Sequence, residues 1–301
     1  MHALFGVEPA AINNWQNMRY VIEKFGMSRG ALIAQIPKKW PALVLDECRR
    51  NPNVKDIERA RIEEALRHAK NDKLFRPQVH FEPEQSWTEN ILGEEISGLL
   101  QGVIISSEPL SETCFNVDDL PNDVFENFGQ TRVKQTAEAL ADVARFVLAN
   151  AEAIILIDPY FQPARRCIKV LKSIISVASS YNSKLKSVFI FSAASKCNKS
   201  DDLIHDEYRA AIEAFDAKGI TYHIIRLDDG VIDMDMHARY LLTPDAGLVY
   251  DRGFQEPEDI GKREHLTPVS CLVQRLHSEL REEFSLDNPQ LSVAQHFFIE
   301  T

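Results

Sequence analysis

Two apolar runs, Ala153-Ile154-Ile155-Leu156-Ile157 and Val188-Phe189-Ile190-Phe191, flank a stretch in which Leu171, Ile174, Ile175 and Ala178 recur at helical spacing. A strand without polar alternation has both faces covered, as in a central sheet wrapped by helices. The intervening amphipathic helix, predicted over 168–179, supplies part of that cover. The pattern constrains the chain to a layered α/β domain. It continues on both sides. A helix is predicted over 133–148 and another over 203–218, stopped by Gly219, with a third strand over 220–227. Two further strands carry His237 and the segment 247–254. Thr267-Pro268 is expected to open a last helix over 269–284, with Leu272, Leu276 and Leu280 on one stripe.

Ahead of this block, residues 1–73 are expected to be a helical N-terminal region. Helices are predicted over 10–24, 42–50 and 54–71, separated at Pro37, Pro41 and Pro52. Residues 74–129 are expected to form a mixed connecting region. Gly102-Val103-Ile104-Ile105 is a short strand there, and Asp118, Asp119, Asp123 and Glu126 mark an acidic loop. The α/β domain is assigned to 130–301.

Composition narrows the function classes. With 45% hydrophobic and 26% charged residues, the chain has enough apolar material for ordinary cores. No apolar run approaches the roughly 20 residues of a membrane span. The start lacks a basic region followed by an apolar core, so a cytoplasmic protein is expected. Five dispersed cysteines, at 48, 114, 167, 197 and 271, argue against a disulfide framework or a zinc site. No phosphate-loop, dinucleotide or nucleophile-elbow motif is present, and no cofactor or metal is expected. The net charge of −11 repels nucleic acid at long range, although local basic clusters leave it open as a partner. The cluster of Lys38, Lys39, Arg49, Arg50, Arg59, Arg61 and Arg67 is taken as solvated helix faces.

The chemistry-bearing stretch is Met236-His237-Ala238-Arg239-Tyr240, followed by Tyr250-Asp251-Arg252-Gly253-Phe254. Side chains two apart on a strand share a face, so His237 and Arg239 are expected side by side. Arg252 would bring a second guanidinium from the neighbouring strand. Asp158 stands just past a buried strand, where open α/β sheets place ligand crevices, and Tyr160 follows it. The plain alternatives are a histidine and an arginine in structural hydrogen bonds, an aspartate closing a turn before Pro159, and a tyrosine capping the core. Asp228, Asp229, Asp233 and Asp235 lack calcium-loop spacing and are taken as an acidic loop that opposes a nearby phosphate.

Over about residues 130–285 the order of these elements resembles one half of the phospholipase D-like fold. The resemblance rests on Leu156-Ile157-Asp158-Pro159-Tyr160, the alternating helices and strands, the His-x-basic strand, and the helix after Gly253-Phe254. Active members carry histidine-x-lysine, four residues, an aspartate and a glycine-serine-x-asparagine tail. Here Arg239 stands for the lysine, Pro244 occupies the aspartate position with Asp245 one residue late, and Gly253-Phe254-Gln255-Glu256 replaces the tail. The resemblance implies a single-motif, degenerate site. His237 would be a nucleophile forming a phosphohistidine, with Arg239 and Arg252 on the non-bridging oxygens and Asp158 and Tyr160 lining the crevice. A working site needs two histidines and therefore a homodimer.

Shortened motifs of this kind occur in membrane-remodelling adaptors and bacterial defence-type proteins. The expected function is phosphodiester recognition or assembly in a bacterial antiviral-defence or mobile-element system, with a protein partner docked through the N-terminal helices. The alternative is a metal-independent phosphodiesterase of nuclease type. A lipid head-group adaptor is a third reading, which the acidic charge opposes.

Overall fold

In the computed structural model, residues 1–126, 128–181, 184–215, 218–228 and 238–301 are described. The chain divides into two units, Met1–Gly129 and Gln130–Thr301. Both are α/β, with sheets flanked by helices. Among the described residues no helix is long and apolar enough to cross a membrane.

The first unit contains β1 (Ala3–Val7), α1 (Trp15–Ile22), β2 (Ala31–Ala34), α2 (Trp40–Arg50) and α3 (Asp56–Asp72). It continues with β3 (Leu74–Phe75), α4 (Trp87–Leu92), α5 (Glu94–Ser97), β4 (Gly102–Ile105) and β5 (Cys114–Asn116). The strands form one sheet in the order β3-β2-β1-β4-β5, every neighbour parallel. Met18 and Val21 of α1, Trp40 and Val44 of α2, and Ile62 and Leu66 of α3 share one core with Phe5, Val7, Ile33 and Ile104.

This corrects the expected organisation. The stretch 1–73 is not a helical region: it supplies β1 and β2, which pair with strands of 74–129 in one sheet. The predicted helices at 42–50 and 54–71 match α2 and α3, whereas α1 starts later than expected, at Trp15. All residues of β1 and β2 are buried, so neither strand shows alternation. Runs of four or five apolar residues carry no periodicity that separates strand from helix.

The second unit opens with β6 (Gln130–Lys134), α6 (Ala137–Asp142), α7 (Arg145–Leu148), β7 (Ala153–Ile157), α8 (Arg165–Ser180) and β8 (Ser187–Ala193). There follow α9 (Asp201–Glu213), β9 (Thr221–Leu227), β10 (Arg239–Leu242), β11 (Gly247–Tyr250), α10 (Ile260–Arg263), β12 (Leu266–Cys271), α11 (Gln274–Glu283) and β13 (Val293–Glu300). The sheet order is β13-β9-β8-β7-β10-β11-β12-β6. Strands β7, β8 and β9 run parallel, and the remaining pairings are antiparallel.

Two predicted helices are shortened here. The segment 133–148 begins as edge strand β6 and becomes helical only after Thr136, whose hydroxyl caps the Ala139 amide at 3.2 Å. The segment 269–284 begins inside β12, paired on both sides, and the helix starts at Gln274. Thr267-Pro268 suits a helix start locally, but burial of Thr267 and Val269 between β11 and β6 outweighs that preference. Strand β13 was not expected and closes the other edge on β9.

Candidate functional site

The carboxyl end of β7 is the focal point, and the sheet register explains why. Strand β10 runs antiparallel to β7 with Tyr240 opposite Ile157. Arg239, one residue earlier, therefore falls beside Asp158, one residue later. Strand β11 pairs Tyr250 with Arg239, and the chain then turns through Gly253 back toward β7.

Asp158 ties these pieces together. Its side chain is buried. One carboxylate oxygen accepts the Tyr160 amide at 3.0 Å, closing the turn across Pro159; the other accepts the Phe254 amide at 3.0 Å. Gly253 has φ +76°, and a Cβ there would overlap the Asp158 carboxylate. Only glycine satisfies both demands at low cost. The Arg239 Nε lies 4.0 Å from Asp158 Oδ1, and an Arg239 terminal nitrogen donates to the Asp251 carbonyl at 3.0 Å. Burial raises the Asp158 carboxyl above its ordinary value; the Phe254 and Tyr160 amides, then Arg239 and Arg166, pull it back. With both oxygens engaged, Asp158 acts as a positioning residue for Arg239 and the Gly253 turn.

Cations gather at this corner although the chain is acidic. Tyr160, 42% exposed, has the Arg239 guanidinium 5.5 Å and the Lys196 ammonium 5.7 Å from its ring centre. Lys196 is placed by buried Arg226, which pairs with Asp201 and donates to the Ala194 and Cys197 carbonyls at 3.0 Å each. At the start of α8, Arg165, Arg166, Lys169 and Arg263 line a cleft of about 490 Å³ with Glu256 and Glu258. Helix α8 has no acidic residue in its first turn and no side-chain N-cap. Cations at that end oppose the helix dipole, an arrangement that an anion would relieve.

Buried Glu256 anchors the cleft by accepting from Lys169 at 2.8 and 2.9 Å and from the Ala137 amide at 2.9 Å, with Arg263 3.4 Å away. Burial pushes its carboxyl up. The Lys169 hydrogen bond, the Ala137 amide and the charges of Lys169 and Arg263 outweigh that push, and the result lies below the ordinary value.

Of the residues singled out in sequence, Asp158, Tyr160 and Arg239 come together. Arg252 is exposed on the turn that carries Gly253. His237, Asp229, Asp233 and Asp235 lie outside the described residues. His277 is buried and bonded through Nε2 to the Thr243 carbonyl at 2.9 Å, whereas His223 pairs with His296 at 3.1 Å and stacks on Phe189. The five cysteines are free thiols, three of them buried.

Sequence reasoning missed Arg165, Arg166, Lys169, Arg263 and Lys196. The signal available for the first three was basic residues at a helix start with no acid among them. Searches of family models and of curated proteins return no match for this chain.

Proposed function

We propose that the second unit is a phospholipase D-like half domain whose degenerate site recognises a phosphodiester. One observation carries this reading: Arg239 is held at the carboxyl edge of the central sheet by Asp158, the Asp251 carbonyl and Tyr160, with its side chain 23% exposed. A fixed guanidinium loses little freedom when it grips a phosphate oxygen pair. Lys196 and Arg166 add positive potential around it. The departures from the full motif at Arg239, Pro244 and Gly253-Phe254-Gln255-Glu256 favour recognition over turnover. The setting in bacterial defence or mobile elements, with a protein partner, rests on the motif resemblance.

The test is fluorescence anisotropy of a labelled thymidine trinucleotide, together with hydrolysis of bis(p-nitrophenyl) phosphate in chelator. Saturable binding that weakens at least tenfold in Arg239→Ala, without turnover, supports recognition. Chelator-resistant turnover abolished by His237→Ala would replace it with the phosphodiesterase reading and require a homodimer. Absence of both binding and turnover removes the proposal.

A further inference from the structure

The first unit holds a cavity of about 860 Å³ at the carboxyl end of its parallel sheet. Its lining comes from the residues after β1, from those between β2 and α2, from Leu43 and Glu47 of α2, and from the segment leading into α4 together with Trp87 at that helix's start. Open parallel sheets hold small ligands at this edge, and the volume falls in the range of about 300–1,000 Å³ of small-molecule sites. The walls are mostly apolar, with Pro37, Leu43, Phe81 and Trp87 among them.

Two of the walls are fixed in advance. The Trp87 indole donates to the Ile36 carbonyl at 2.8 Å, and Ser86 and Glu89 form a reciprocal capping box where α4 begins. Buried Trp40 donates to the Val7 carbonyl at 2.7 Å, binding the start of α2 to the end of β1. An aromatic wall held by its own hydrogen bond adds contact area without a large ordering cost.

The charges in this cavity are unevenly satisfied. Glu8 accepts from the Ser106 amide and hydroxyl at 2.7 Å each, and Glu47 pairs with Arg50 at 2.6 Å. Lys38 and Lys39 are exposed and have no ion-pair partner among the described residues. Lys39 immediately precedes α2, an eleven-residue helix with no side-chain N-cap and no acidic residue in its first turn. Two ammonium groups therefore stand at the positive end of a helix, beside an apolar cavity. Both charges face the helix dipole with the unfavourable sign, weakly because they are exposed, and a bound anion would offset them.

We propose that this cavity binds a nucleoside phosphate, with the base against Trp87 and Phe81 and the phosphates toward Lys38, Lys39 and the start of α2. The apolar walls call for a flat, weakly polar ring, and the two lysines for at least one phosphate. A bare sugar phosphate would leave those walls uncovered. The site lies in the first unit and does not depend on the reading of the Arg239 corner.

Calorimetric titration of the full chain with ADP, adenosine and inorganic phosphate tests it. ADP is expected to bind saturably, at least tenfold tighter than either fragment. The double variant Lys38→Ala/Lys39→Ala is expected to weaken ADP at least tenfold, with adenosine affinity and thermal midpoint unchanged. Three results would overturn the proposal: no saturable ADP binding at millimolar concentration, equal ADP affinity in the double variant, or inorganic phosphate binding as tightly as ADP.

Discussion

The two units present the same kind of place, the carboxyl edge of parallel strands, built in opposite ways. In the first, the edge opens on a roomy cavity with an apolar wall and two lysines at its mouth. In the second, a buried carboxylate draws the edge shut: Asp158 holds the Tyr160 turn, the Gly253–Phe254 turn and Arg239 together. Sheet direction explains the difference. An all-parallel sheet sends each strand end into a loop and a helix, leaving space above it. An antiparallel strand next to β7 returns its own first residue, Arg239, to that end and fills the space with charge.

If the second edge is as tightly drawn as this, Gly253→Ala should be the most costly change. The left-handed backbone and the overlap with Asp158 together predict a loss of about 2–4 kcal/mol in urea unfolding. Gly219 has a similar φ of +74°, but a methyl group added there would meet nothing within 4 Å, so Gly219→Ala should lose only about 1 kcal/mol. Equal losses at the two glycines would break the comparison.

Asp158→Asn comes next. It removes the cost of burying a charge but turns an amide group toward donors that need acceptors. The lost charge-assisted bonds outweigh the relief, and a loss of about 1–3 kcal/mol is expected. A variant as stable as the parent would show that the corner is not held by this carboxylate.

Acid should act on the second unit through its histidines. Burial holds His277 below its ordinary value, and burial and then His296 do the same for His223. A depressed folded-state value means that the stabilisation is complete above about pH 6.5 and is lost as pH falls through the folded-state value. Glu256, also depressed, extends the loss below about pH 4.3. A melting profile flat between pH 7 and 5 would contradict this assignment. The smallest effect belongs to the first edge: Lys38→Ala/Lys39→Ala should change stability by less than about 0.5 kcal/mol, because both side chains are exposed.

What sequence disclosed follows the same contrast. The buried runs of β7 and β8 and the helix between them were legible, because apolar runs of five and four residues on either side of a long amphipathic helix have few alternative packings. Strands β1 and β2 were not, since four or five buried residues show neither alternation nor helical spacing. Asp158, Tyr160 and Arg239 could be named from their positions relative to strand ends. Their grouping depends on the antiparallel register of β10, which no local pattern reveals. Lys196 was invisible for a related reason: Arg226, distant in sequence, sets its turn.

The central claim is that the Arg239 guanidinium recognises a phosphodiester. Arginine Nε–H NMR spectra recorded while dimethyl phosphate is titrated into the protein test it most directly. A saturable shift is predicted for the resonance that disappears in Arg239→Lys. If that resonance stays fixed while only those of Arg165 or Arg166 move, the anion binds at the α8 cleft and the claim fails.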